Sequence, residues 1–543
     1  MTSRNGSFTL LYPEIYPVIA THLPLHATPS TLLSLAQTSR DISHIVLPLL
    51  HTRLILKNET DALLVLQKLE SPVVGLAVRE LHILSGLSYA TRQQDPPADV
   101  VTRTVDIISR GNLPFLHTLD VQLTNEWRHC GPGSDQVCDN SLCVFPRVFW
   151  TRIKEYCPRL RGIVLKGIQY PSTYGSETED LGFLHVPGIT SLSITFLKKM
   201  LPPPVYIDML VGPIMTLAPL LHTLELGVNP QGFVHISPLF DLNLPYLRSL
   251  SLKNFTQIDT LQTTAFFERH PSIQYLNLNV APSDVALAST SDCWFTAEIS
   301  EGFLPNLRHL RAHWKDVRRL APILAQLLSL CIHGSVNAQV PFLLRFTLPD
   351  GLPYLKSLDI GQFPRRESAN YRNIDVEGST IWYEDADDGM LRAYTPEQPR
   401  TIFDNYMHSI VRAAPRLEEL GFHGADSPLA DFIAVADDLN GFCHLKRLYY
   451  IDRATGAGEP SDTFGELAGE LAELVPRLEA ITNVGAPDLP YQTAEIHRDP
   501  ESLTVELCEG FGMQTGNDDE AFPWAPQSSV NVVVVPRNRR DLL

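Results

Sequence analysis

Apolar residues return along this chain in one short phrase: a proline, then apolar side chains at the second, fifth and seventh positions after it. Pro219 is followed by Leu221, Leu224 and Leu226, Pro245 by Leu247, Leu250 and Leu252, and Pro271 by Ile273, Leu276 and Leu278, the first members standing 26 residues apart. The last two positions of each phrase alternate as a strand does. The segments before the prolines carry apolar residues at helical spacing, such as Ile207, Leu210, Ile214 and Leu217. The residue preceding a proline is disfavoured in the α region, so each helix must end there and the chain turn into an extended segment. Each unit is therefore expected to be helix, proline turn and strand, and stacked units to form an α/β solenoid with a curved parallel sheet.

The phrase recurs from one end of the chain to the other. Val78, Leu81 and Ile83 form the first expected strand, followed by Leu116, Leu119 and Val121, by Leu160, Ile163 and Leu165, and by Ile189, Leu192 and Ile194. Later copies hold Leu307 and Leu310, then Leu355, Leu358 and Ile360, Leu417, Leu420 and Phe422, Leu445, Leu448 and Tyr450, and Leu478 and Ile481. Leu327, Leu330 and Ile332 are expected to add a degenerate strand after a helical stretch at Val317–Leu328. A polar segment near 362–398 reads as an excursion from the array, and Val530–Val535 as a late strand. The L-x-x-L-x-L phrase resembles that of leucine-rich repeats, here at irregular spacing.

In such a strand the residue between the last two apolar positions faces away from the helices. That row is Asp120, Val164, Ser193, Glu225, Ser251, Asn277, Arg311, Asp359, Gly421 and Tyr449. Asp120, Glu225, Ser251, Asn277, Arg311, Asp359 and Tyr449 are the candidate contacts for a protein substrate on a concave sheet face. Their mixed polarity suits a polar peptide, and solvation of an exposed sheet accounts for the row equally well.

The first 57 residues differ from the rest. Pro13 and Glu14 suit a first helical turn, Ser30 or Thr31 a second helix cap, and Ile42, Ile45, Val46, Leu49 and Leu50 a third helix kinked or restarted at Pro48. Leu11, Pro13, Glu14, Ile15, Ile19 and Leu23, then Leu33, Leu35, Ser39 and Arg40, with Leu47, Leu50 and Leu54, resemble an F-box, although Tyr12 stands where the family has its first proline. With the repeats behind it, the arrangement resembles the substrate receptors of cullin–RING (SCF-type) ubiquitin ligases. The resemblance implies that Leu11, Pro13, Ile15, Ile19 and Leu33 dock the ligase adaptor, linking the chain to the cullin complex. A helical cap on the first repeat, in a freestanding scaffold, is the alternative.

Residues 1–57 are thus expected to form the F-box-like head, 58–510 the solenoid and 511–543 a tail. With 61 acidic against 43 basic side chains, the net charge of −18 argues against a nucleic-acid binder, which needs cations to neutralise phosphates. No apolar run reaches the roughly 20 residues of a membrane span, and no secretory leader is legible, so a cytoplasmic or nuclear chain with reduced thiols is expected. His129, Cys130, Cys138, Cys143 and Cys157 contain no C-x-x-C pair, so no metal is expected. The acidic run Glu384, Asp385, Asp387 and Asp388 lacks the spacing of a calcium loop, and Gly456-Ala457-Gly458 lacks the context of a phosphate loop. Neither an enzyme nor a cofactor is expected.

Overall fold

The computed structural model describes residues 15–22, 28–56, 59–84, 98–122, 147–168, 183, 186–196, 205–227, 236–255, 259–280, 293–296, 299–333, 343–344, 351–360, 382–384, 391–393, 407–426, 428–451, 461–483, 491–499 and 502–510. The chain divides into two compact units, the first running to Gly232 and the second from Phe233 to Trp524.

The first unit opens with three helices, Ile15–His22, Thr28–Thr38 and Arg40–Thr52. The second starts at Thr28, ahead of the caps expected at Ser30 or Thr31, with Pro29 in its first turn, where a missing N–H costs nothing. Ser39 breaks the chain between the second and third, its hydroxyl accepting from the amide of Ile42 at 3.1 Å. Pro48 lies inside the third helix without ending it. Tyr16, Leu32, Ala36 and Val46 are buried between these helices, and Ala20, Leu35, Ile42, Ile45, Leu49 and Leu50 pack around them.

Six strands follow: β1 (Arg53–Leu56), β2 (Glu80–Leu84), β3 (Thr118–Gln122), β4 (Gly162–Ile168), β5 (Ser191–Phe196) and β6 (Thr223–Gly227). Each pairs in parallel with the next in chain order. The first strand thus lies inside the segment expected to be wholly helical, one repeat ahead of Val78. The leucine positions form one register row, Leu54, Leu81, Leu119, Ile163, Leu192 and Leu224, all buried. Helices Glu59–Lys68, Ala98–Ser109, Arg147–Tyr156 and Val205–Leu217 connect successive strands. Asn112 reaches back from one turn to the preceding helix, its amide donating to the carbonyls of Leu69 at 2.9 Å and Glu70 at 3.1 Å. It thereby satisfies helix-end acceptors that would otherwise be orphaned.

The second unit repeats the plan with β7 (Ser249–Phe255), β8 (Tyr275–Val280), β9 (His309–His313), β10 (Ser329–His333) and β11 (Ser357–Ile360). A two-stranded antiparallel pair, β12 (Trp382–Glu384) and β13 (Leu391–Ala393), lies within the expected insertion. The ladder resumes directly from β11 to β14 (Glu419–Asp426), then β15 (Arg447–Ile451) and β16 (Ala480–Asn483). The stretch expected to be helical at Val317–Leu328 is a short helix, Trp314–Arg319, with a 3-10 turn at Ala321–Gln326. Val530–Val535 lies outside the described residues.

The parallel order ends at β16. There β17 (Tyr491–Asp499) and β18 (Ser502–Gly510) add an antiparallel hairpin absent from the sequence expectation. It covers the edge of β16, whose unpaired backbone would otherwise template association. Arg498 fastens the hairpin to the last repeat, donating to the carbonyl of Ala472 at 2.9 Å near the end of helix Ser461–Leu474.

Gly351 is needed where it stands. Its φ is +64°, and a Cβ there would meet the Ala413 carbonyl oxygen at 2.6 Å, the same oxygen that accepts from the amide of Leu352. Gly351→Ala is expected to cost about 1–3 kcal/mol from the left-handed backbone alone, read as a lower urea midpoint for the second unit. An unchanged midpoint would contradict this placement of the turn.

Candidate interaction surfaces

Two surfaces answer to the expected partners, the helical head and the sheet face opposite the helices. On the head, the side chains split between an interior and a surface set. Tyr16 is 4% and Val46 0% exposed, whereas Ile15 is 37%, Val18 55%, Leu33 49% and Leu47 40% exposed. Ile15 and Val18 stand three apart and so share one face of the first helix. Of the residues that the F-box resemblance assigns to an adaptor, Ile15 and Leu33 are exposed; Leu11, Pro13 and the side chain of Ile19 lie outside the described residues. Val18 and Leu47 extend the exposed apolar set; the F-box phrase includes Leu47 but not as a contact, and omits Val18 altogether, because helical spacing alone does not say which side of a small bundle is inside. Arg53 ties the head to the array. Its Nε donates to Glu80 Oε2 at 2.6 Å on the next strand, and its Nη1 donates to the Ala20 carbonyl at 3.4 Å.

On the sheet, the expected row is in register across neighbouring strands, Asp120, Val164, Ser193 and Glu225 in the first unit and Ser251, Asn277, Arg311, Asp359, Gly421 and Tyr449 in the second, and the structure adds His82 and Cys331 to it. These residues were expected as substrate contacts or, alternatively, as the solvated face of an exposed sheet, and the solvated alternative needs correcting. Asp120, Glu225, Ser251, Asn277, Arg311, Asp359 and Tyr449 are all buried, from 0% exposure at Asp359 to 8% at Glu225. The physical reason lies in the spacing. Rungs under 5 Å apart let polar side chains satisfy one another along the row. Ser193 donates to Glu225 Oε2 at 2.7 Å, Asn277 Nδ2 to Ser251 Oγ at 3.1 Å, and the Cys331 thiol to Asp359 Oδ2 at 3.3 Å.

His82, which the sequence reading left out of the row, stands between two carboxylates. Nδ1 lies 2.8 Å from Asp120 Oδ2 and Nε2 lies 3.3 Å from Glu80 Oε2. With a carboxylate facing each ring nitrogen, the surroundings favour the protonated ring, in which both nitrogens donate. Burial opposes that charge, but the hydrogen bonds to Asp120 and Glu80 outweigh it and raise the His82 pKa above 6.5. Burial likewise opposes ionisation of Glu80, yet His82 and Arg53 hold its pKa down to about 2.

Of the cysteines weighed for zinc, Cys157 is a buried thiol donating to the Leu113 carbonyl at 3.4 Å, and burial pushes its pKa up to about 12. The other members of that group lie outside the described residues. Among the described residues no cluster of His, Cys, Asp and Glu is arranged to hold a metal, and no helix is long and apolar enough to cross a membrane.

No protein-family profile and no curated protein matches the chain. Solved structures that resemble it include the leucine-rich-repeat-containing protein LegL7 from Legionella pneumophila, at 14% identity over 72% of this chain and 89% of that one, with a TM-score of 0.31. A complex of Rad7 and Elc1 from yeast matches at 12% identity over 76% of this chain and 88% of that one, with a TM-score of 0.32. Scores this low carry no argument, and the class rests on the chain's own geometry. Leucine positions on one register row of sequential parallel strands, joined by helices or short helical turns, make an α/β repeat array of the leucine-rich-repeat type. Such arrays are scaffolds for protein contacts.

Proposed function

We propose that this chain is the substrate-recognition subunit of a cullin–RING ubiquitin ligase, the head docking the adaptor and the repeats holding a protein substrate. The observation that carries the reading is the division of the head's apolar residues. A cap would spend its apolar side on the first repeat. This head instead encloses its own interior around Tyr16, Leu32, Ala36 and Val46, and leaves large apolar side chains exposed on each of its three helices. Exposed apolar side chains gathered on a small module favour a protein partner. The chain would work as a bridge, with no nucleophile or cofactor of its own, in the cytoplasm or nucleus.

The freestanding-scaffold reading differs in one respect: the head would bind nothing. Co-expression of the full chain with the ligase adaptor separates the two. The double variant Ile15→Asp/Leu33→Asp is expected to lose adaptor capture by more than tenfold while the chain stays folded with only a modest drop in thermal midpoint, since Leu33 is 49% and Ile15 37% exposed. Capture unchanged in a folded double variant would remove Ile15 and Leu33 from the interface.

A further inference from the structure

The turns that enter β2, β3 and β4 gather cations on one edge of the first unit. Arg79, His117 and Arg161 occupy equivalent places on three consecutive rungs. The amide of His117 donates to the Arg79 carbonyl at 2.6 Å, and that of Arg161 to the His117 carbonyl at 2.8 Å. Phe115 stands between them. The guanidinium of Arg79 lies 4.8 Å, and that of Arg159 4.5 Å, from the centroid of its ring. Two cations on one ring repel each other, and at such partly exposed sites the attraction of each to the ring is weak. Burial and the charges of Arg79, Arg159 and Arg161 together depress the pKa of His117. The same three cations therefore act on one point.

None of the three arginines has a carboxylate within salt-bridge distance among the described residues, in a chain carrying a net charge of −18. Part of the cluster has a structural use. Arg79 Nη1 donates to the carbonyls of Leu76 at 2.7 Å and Val78 at 3.1 Å, and Arg161 Nη1 to that of Leu160 at 3.0 Å. Arg308 in the second unit caps its turn in the same way, through the Leu307 carbonyl at 2.8 Å. Among the described residues, turn capping uses one nitrogen of each, however, and does not account for Arg159, whose contact there is the Phe115 ring. Gly188, on the following turn, has φ +78° and would place a Cβ 2.6 Å from Arg161 Nη1, so the chain leaves the guanidinium room on that side.

We propose that Arg79, Arg159 and Arg161, set around Phe115, form a binding site for an acidic peptide segment whose carboxylate or phosphate oxygens take the unused guanidinium donors. Planar guanidiniums bind both groups in bidentate fashion, and Phe115 offers an apolar face to the adjoining part of the peptide. A duplex nucleic acid fits less well: affinity for it grows with the number of phosphates neutralised, and this cluster is only three arginines across. The proposal extends the receptor reading by giving the chemistry of the repeats' partner. Its test needs no adaptor, so either can fail alone.

The test is fluorescence anisotropy of the full chain with a labelled 12-residue Glu/Gly peptide, the same length of phosphoserine/Gly peptide and a Gln/Gly control. The site predicts saturable binding of at least one anionic peptide, none of the control, and weakening as salt rises. Arg159→Glu should lower affinity at least tenfold, Arg159→Lys less, and Arg308→Ala, which removes only turn capping elsewhere, not at all. Thermal unfolding of each variant separates lost binding from lost fold, and Phe115→Leu gives a second route if Arg159→Glu does not fold. Binding of neither anionic peptide, or equal binding by folded Arg159→Glu, would overturn the proposal. Binding confined to duplex DNA or to anionic phosphatidylserine vesicles would overturn it as well.

Discussion

Asp120→Ala is expected to lower the stability of the first unit by about 3–5 kcal/mol, the cost of removing one partner of a buried ion pair. The loss comes less from the missing contact than from what remains: His82, buried to 2% exposure, would have to hold its charge against Glu80 alone or give it up. Amide exchange of β2 and β3 is the suitable readout, because the chain has two compact units and a single global midpoint would mix them. The intact cluster also sets a pH profile. The raised pKa of His82 contributes stability that is complete below its ordinary value of 6.5 and is lost as pH rises through the folded value. Glu80, held at about 2, contributes above its ordinary 4.5 and loses that contribution as pH falls toward 2. Protection of β2 and β3 should therefore be greatest between roughly pH 4.5 and 6.5. A profile flat from pH 5 to 9 would show that His82 is not charged in the folded chain.

Leu276→Ala is the corresponding test of the second unit. Leu276 is wholly buried, in register with Leu250 on one side and Leu310 on the other. Truncation removes apolar contact and leaves a cavity between fixed strands, so a loss of about 2–5 kcal/mol is expected. Leu261, on helix Thr260–Arg269 and 73% exposed, is the control, and its replacement by alanine should fall within about 0.5 kcal/mol of neutral. Equal effects at both positions would mean that the strand row does not form the core.

The repeat strands were legible because two physical constraints coincide in one phrase. Proline stops the helix, and alternation commits the strand to one buried face. Leu250, Leu276, Leu310, Leu330, Leu358, Leu420 and Leu448 consequently fall on a single register row. Strand β1 escaped because the proline before it, Pro48, lies inside the third helix without ending it; the chain passes straight from helix to strand, and Leu54 and Leu56 read equally well as a further helical turn. The hairpin of β17 and β18 carries a plain two-residue alternation, with Ala494 and Ile496 buried, but it lacks the repeat phrase and lay beyond its last copy. Burial of the sheet row was hidden for a different reason. Alternation tells which face a side chain takes, not whether its neighbours cover it, and pairs such as Ser193 with Glu225 join residues 32 apart. The arginine cluster was likewise beyond the pattern, since Arg79, Arg159 and Phe115 converge only when three repeats are stacked.

The central claim is that the head is a docking module and not a cap. Its most direct measurement is the mass, by light scattering after gel filtration, of a mixture of the purified full chain and the ligase adaptor. The account predicts a single one-to-one complex for the native chain and two separate species for Ile15→Asp/Leu33→Asp. Two separate species from a well-folded native chain would contradict it and leave a repeat scaffold with a helical end.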